Sequence, residues 1–331
     1  MRIAKTHLKT TALAAAMLSV SAAASANILT SVKPLGFIAS SIANGITDTE
    51  VLVPAGASPH DYSLKPSDVQ KLKNAEVVLW IGEDVDEFLE KSIRDLEQKR
   101  VLTIEDFPEI EPLLGKSSHH HHDHEGHDHE GHGHDHHHDK AHEHKHEHEH
   151  HHDHDDADHL ETNWHLWYSP EISKVVAKRL AAKLITQYPD KQAQIEKNLA
   201  EFNRTLEEQS VNIKAQLAPF SGKGFYVFHD AYGYFNDAYG LKQTGAFTIN
   251  PLVAPGAKTL AHIKEEIAEH KVNCLFAEPQ FTPKVIESLA KGTKVNVGKL
   301  DPMGDQIKLG ANSYANYLQF TADSYAQCLS K

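Results

Sequence analysis

The 331-residue chain has no excess of positive charge. Its 33 Lys and Arg stand against 46 Asp and Glu, a formal net charge of −13 with histidine neutral. No basic field exists to neutralise phosphates, which excludes an ordinary nucleic-acid binder. Long apolar runs are also missing. The stretch Ala12–Val20 is far shorter than the ~20 residues that span a bilayer, so no stable membrane insertion is expected. Cysteine is almost absent, with only Cys274 and Cys328. H-E-x-x-H occurs only inside a low-complexity run at 142–152, where no helix is expected to carry it, and no nucleophile elbow is present, so no positioned hydrolytic motif is recognised.

Histidine is what the chain has in excess: 27 residues, of which 21 lie between His119 and His159. That segment also holds thirteen acids and two lysines, and so carries −11 of the net charge. Residues 117–161 have almost no aliphatic side chains and no periodicity. They are expected to be disordered without metal, because they bury too little to offset ordering entropy. The dense H-H and H-x-H steps begin with His119, His120, His121, His122, His124, His127, His129, His132, His134, His136, His137 and His138. Imidazole pairs at this spacing chelate metal weakly and exchangeably. The alternative is a solvated linker whose histidine content is incidental.

The first 26 residues read as an export signal. Arg2, Lys5 and Lys9 precede the apolar Ala12–Val20, and Ala24-Ser25-Ala26 supplies small residues for cleavage near Ala26-Asn27. No cysteine sits at that point to take a lipid. In the oxidising compartment this implies, an isolated cysteine pair usually closes a disulfide. A Cys274–Cys328 bond would contribute roughly 4 kcal/mol by chain entropy. It would pin a C-terminal helix to the strand holding Cys274; the alternative is two free thiols.

Between these segments, short apolar strands alternate with helical stretches. Strands are expected at 28–32, 50–54, 75–82 and 101–106, then at 224–230, 241–248, 272–278 and 293–301. Ser67 with Gln70 is the expected cap of one helix, and Ser169-Pro170-Glu171 starts another that stops near Tyr188-Pro189. Ile195, Leu199, Phe202 and Leu206 mark one buried stripe on a long helix from about Lys191 to Gln216. Thr259 and Thr282-Pro283 look like further helix starts. The alternation implies an α/β fold with parallel sheets in two halves, and no sequence repeat relates them.

Six histidines lie outside the rich segment. His60, His165 and His229 stand near strand ends, where ligand sites form in open α/β sheets. They come from both halves and so can meet only in a cleft between them. Three neutral imidazoles suit a borderline-soft divalent ion, with Zn²⁺ first. His262 and His270, on a charged helix, read as structural or surface residues.

The motifs GASPHDYSLKPSDVQKL, HLWYSPE, GFYVFHDAYGYF, CLFAEPQF and LDPMG, with the acidic His-rich insertion, carry a family resemblance. The mature chain resembles the metal-binding solute-binding proteins of ABC importers, most closely the zinc-uptake (ZnuA) type. The resemblance implies two Rossmann-like lobes bridged by one long rigid helix, with the metal in the interlobe cleft. The implied division is a signal peptide (1–26), an N-terminal lobe (27–116 and 162–190), a His/Asp/Glu-rich arm (117–161), a bridging helix (191–217) and a C-terminal lobe (218–331). The implied zinc ligands are His60, His165 and His229, with Asp301 or a water as a fourth. His229 stands where manganese relatives have a carboxylate, which favours zinc. Pro59 stands where some zinc members have a glutamate. Glu278 reads as a structural carboxylate at a strand end, and Asp230 as the candidate to orient an imidazole.

The implied function is capture of Zn²⁺ in the periplasm by a monomer that delivers it to an ABC permease. The arm collects zinc at lower affinity, and periplasmic zinc chaperones are further candidate partners. Because binding needs neutral imidazoles, affinity is expected to fall below roughly pH 6.5. The competing readings are a zinc enzyme, since three histidines and an open position also suit catalysis, and a metal buffer without a transporter.

Overall fold

The computed structural model describes residues 28–115, 162–248, 251–252, 254–269, 271–281, 284–291 and 293–331. The expected export signal, the His-rich arm, the helix start at Thr282-Pro283 and His270 lie outside the described residues.

Two parallel four-stranded sheets organise the chain. In the first, β1 (Ile28–Thr30), β2 (Thr49–Val51), β3 (Val77–Trp80) and β4 (Val101–Thr103) lie in the order β2-β1-β3-β4. In the second, β5 (Phe225–His229), β6 (Gly245–Thr248), β7 (Cys274–Ala277) and β8 (Asn296–Lys299) lie in the order β6-β5-β7-β8. The two orders are the same, although the sequence shows no repeat. The central strands β1, β3, β5 and β7 are buried along their whole length. Such unbroken apolar runs are what parallel strands covered on both faces need. All eight strands are shorter than their expected ranges, because only the paired residues at the heart of each apolar run enter the ladder.

Helices α1 (Lys33–Ile42), α2 (Pro66–Asn74), α3 (Glu83–Asp86) and α4 (Glu90–Arg94) follow the strands of the first half. The start of α2 differs from expectation. Pro66 takes the first helical position, and the Asp68 carboxylate accepts from the Lys65 N–H at 2.9 Å. Lys65 and Asp68 therefore occupy the capping positions expected of Ser67 and Gln70. A proline that needs no donor and an acid three residues after the cap form the better start. By contrast, α5 (Pro170–Gln187) begins as expected, with Ser169 Oγ accepting from the Ile172 N–H at 3.2 Å.

The long helix is α6 (Gln192–Leu217), whose 26 residues span about 39 Å. It buries Ile195, Phe202 and Leu206, and extends the stripe to Ile213 and Leu217, while Leu199 is half-buried. The second half adds α7 (Gly233–Tyr239), α8 (Ala257–Ala268), α9 (Lys284–Ala290) and α10 (Ser313–Leu329). Helix α8 starts at Ala257, two residues before Thr259, because Gly256 serves as its N-cap. Helix α6 packs against α1 and α5 of the first half and against α7 and α10 of the second.

One apolar core crosses between the halves. It contains Ile28, Phe37 and Ile38 near the start, Leu206 and Ile213 of α6, and Phe276 and Tyr325 near the end. Aromatic rings fill its centre: Tyr168 stacks on Tyr317 at 5.4 Å between centroids and meets Tyr232 at 5.3 Å. Cys274 and Cys328 form a disulfide that joins β7 to α10. Among the described residues no helix is long and apolar enough to cross a membrane.

Candidate metal centre

The three histidines meet between the sheets. His60 sits in a single 3-10 turn, Pro59–Asp61, whose first amide is organised by Ser58: its Oγ accepts from the His60 N–H at 3.3 Å. Helix α3 packs against this turn. His165 immediately precedes the turn Leu166–Tyr168 that leads into α5. His229 is the last residue of β5, at the carboxyl end of the central strand of its sheet. One ligand atom from each histidine lies within 4.8 Å of the others.

Each of two imidazoles is held from behind. His229 Nδ1 lies 2.8 and 2.7 Å from the two carboxylate oxygens of Glu278, so it carries the proton and donates it. Strand register explains this partner. Phe225 of β5 pairs with Cys274 of β7, and the same offset sets His229 beside Glu278. His165 Nδ1 donates to Asn163 Oδ1 at 2.9 Å. The Asn163 amide is oriented by its Nδ2, which donates to the Asp230 carbonyl at 3.0 Å. Both histidines therefore present bare Nε2 lone pairs to each other, 3.2 Å apart.

Two lone pairs at that distance repel unless a cation lies between them. Nitrogens bound at ~2.0–2.1 Å on a tetrahedral zinc stand about 3.3 Å apart, close to the observed separation. His60 Nε2 completes the set as a buried nitrogen with no hydrogen-bond partner. The donor set thus fits a small soft divalent ion. The surrounding small cavity is walled by Pro59, Trp167, Phe281, Pro302 and Met303. Such apolar walls keep water away and strengthen the bonds made inside.

The electrostatics point the same way. Burial, and then the neighbouring His229, push His60 down to about 4. Burial, followed by His229 and His60, holds His165 well below the ordinary histidine value. Burial thus favours the neutral, metal-binding form of both imidazoles. A wider cleft of about 600 Å³ adjoins the site at Pro59 and His60, lined by Asp61, Asp84, Glu87 and Glu90.

Asp301 stands apart from the trio. Its Oδ1 accepts from the Met303 N–H at 3.0 Å and from Gln280 Nε2 at 2.9 Å, while Oδ2 accepts from the Asp305 N–H at 2.7 Å. It thus shapes the loop that carries Pro302 and Met303 to the cavity wall. The carboxylate on His229 is Glu278, whereas Asp230 Oδ1 accepts from Gln243 at 2.9 Å. Asn163 had no signal beyond its place two residues before a candidate ligand. Glu278 had one: the alignment of its strand end with that of β5. His262 lies on α8 beside Glu266 at 3.7 Å, away from the trio.

Known proteins share this design over most of the chain. A high-affinity zinc uptake system protein from Haemophilus influenzae is 69% identical and aligns with 99% of this chain and 100% of its own length. The protein so named from Haemophilus ducreyi is 54% identical over 98% of this chain and 99% of its own. A deletion mutant of ZnuA solved with zinc bound is similar in fold, with a TM-score of 0.69 at 23% identity, covering 92% of this chain and 98% of that one. The family profile for the periplasmic zinc-uptake complex component A matches residues 28–328, and this chain belongs to that ZnuA family.

Proposed function

We propose that this protein captures Zn²⁺ at high affinity in the periplasm and hands it to the membrane permease of an ABC-type importer. The observation that carries the reading is the pair of bare Nε2 atoms of His165 and His229, 3.2 Å apart, with the unpartnered His60 Nε2 beside them. Buried lone pairs held so close serve a cation, and the family is one of zinc uptake. In this reading His60, His165 and His229 hold the ion. Asp301 shapes its own loop, and the fourth position is open to a water or a carboxylate shift. The mouth acids Asp61, Asp84, Glu87 and Glu90 raise the local concentration of cations at the entrance.

The segment 117–161 acts as a collecting arm of lower affinity, fed by its histidine pairs. Residues 27–116 with 162–190 form one lobe, 191–217 the bridge, and 218–331 the other lobe. Removing residues 117–159 should lower zinc stoichiometry and leave one tight site, as measured by titration against a strong chelator. Loss of the tight site with the arm would refute this division of labour. His60→Ala in the full chain should abolish the tight site and spare the weak ones.

A further inference from the structure

Asn163 makes more contacts than orienting one ligand requires. Its Oδ1 accepts from both the His165 ring at 2.9 Å and the His165 backbone N–H at 3.0 Å. Its Nδ2 donates to the carbonyl of Asp230, one residue beyond His229, at 3.0 Å. One small, buried amide thus spans from the ligand of the first half to the ligand strand of the second. Its main chain is tied as well. The Asn163 N–H donates to the Gly115 carbonyl at 2.9 Å, and the Asn163 carbonyl accepts from the Tyr234 hydroxyl at 2.8 Å. The same hydroxyl, on α7, accepts from the Gly115 N–H at 2.9 Å.

Gly115 and Asn163 flank the His-rich segment on either side. Four hydrogen bonds around Tyr234 and Asn163 therefore close the root of that segment onto the second half, and the amide that closes it also holds His165. Asn163 and Tyr234 are both buried. Bonds among buried partners of this kind are geometrically restrictive, because every broken one leaves an unsatisfied polar group.

We propose that Asn163, locked by Tyr234, is a positioning clamp that fixes the distance between His165 and His229 across the lobes. The inference rests on the three-histidine reading above. The orienting bond to His165 and the cross-lobe bond to Asp230 can be separated chemically. In Asn163→Asp an oxygen remains for His165, while the donor to the Asp230 carbonyl is replaced by an acceptor.

The test uses the full chain with one equivalent of metal. Zinc affinity is measured by chelator competition, and site geometry by the visible absorption of bound Co²⁺. Asn163→Ala removes both bonds and should weaken zinc about 10–100-fold, the range for partners that orient ligands. Asn163→Asp keeps an acceptor whose charge by itself favours binding, so its expected weakening of more than twofold, with altered Co²⁺ bands, reports the lost bond to the Asp230 carbonyl. Tyr234→Phe, which touches neither ligand, should weaken zinc by a smaller factor, above twofold. Asn163→Asp within twofold of wild type, with unchanged Co²⁺ bands, overturns the clamp. If Asn163→Ala does not fold, Asn163→Asp and Tyr234→Phe decide. His60→Ala separates the two failures. Tight binding that survives it refutes the site itself, whereas its loss beside a wild-type-like Asn163→Asp refutes only the clamp.

Discussion

The His229 ring has a carboxylate behind it and the His165 Nε2 in front. Glu278 fixes the tautomer and adds negative charge that strengthens the imidazole as a donor to metal. Glu278→Gln keeps the shape and an acceptor oxygen but loses that charge, and should weaken zinc about 10–100-fold in the chelator competition. The depressed His60 and His165 change the expected pH profile. Burial holds both rings below the ordinary histidine value, so zinc affinity should persist below pH 6.5 and be lost at the latest as His60 charges near 4. Stability of the metal-free protein follows the opposite logic. Between pH 6.5 and 4 the unfolded chain takes up a proton that folded His60 refuses, so this residue lowers stability as the pH falls. Buried Asp86, pushed up to about 6, works against it, since the folded state takes a proton there first. Thermal melts of metal-free His60→Ala against wild type isolate the histidine: the advantage of the variant should grow from pH 6.5 to 4. The convergence of the three histidines was legible because histidines past strand ends in two halves can share only one place. Glu278 was legible as a strand-end carboxylate but not as the partner of His229, which depends on register, and Asn163 was not legible at all, since its role depends on a fold-back that no local spacing encodes.

Elements reported themselves unevenly. The buried runs ILT, VVLW, FYVFH and CLFA announced parallel strands, and Ser169-Pro170 announced α5 with its cap. The start of α2 went to Lys65 and Asp68 instead of Ser67 and Gln70, because a proline at the first helical position outweighs a hydroxyl one residue later. Ser169→Ala should cost about 1 kcal/mol in urea unfolding. The disulfide joins the first residue of β7 to the last turn of α10, across a separation of 54 residues. Reduction, or a paired Cys274→Ser and Cys328→Ser variant, should remove about 4 kcal/mol of stability by the chain-entropy argument. Unfolding curves with and without reductant measure it, and coincident curves would show that the bond adds nothing. The shared strand order of the two sheets had no counterpart in the sequence, since topology depends on which strands pair and not on which residues they contain.

For the whole molecule, charge and fold separate cleanly. The segment His119–His159 holds −11 of the −13, so the rest of the chain is close to ordinary in charge, and the acidity belongs mostly to that histidine-rich segment. Intrinsic fluorescence offers a global readout of loading. Trp167 meets the His165 ring edge-on at 5.2 Å between centroids, so the emission of the full chain should change with the first equivalent of zinc. A flat signal up to one equivalent would place the first ion away from His165. The halves are also locked by polar bonds. Lys33 Nζ donates to the Asp305 carbonyl at 2.6 Å, and the Gly56 N–H donates to Asp305 Oδ2 at 2.7 Å. The unbroken core that runs from Ile28 through Ile213 to Tyr325 has a thermodynamic corollary. Each half keeps a smaller apolar cluster of its own, around Leu72 and Trp80 in the first and Phe247 and Ile263 in the second, but the largest cluster is shared, so the two should melt together. Calorimetry should give one transition whose van't Hoff and calorimetric enthalpies agree. Amides at the hearts of both sheets should exchange their hydrogens only on that same global opening.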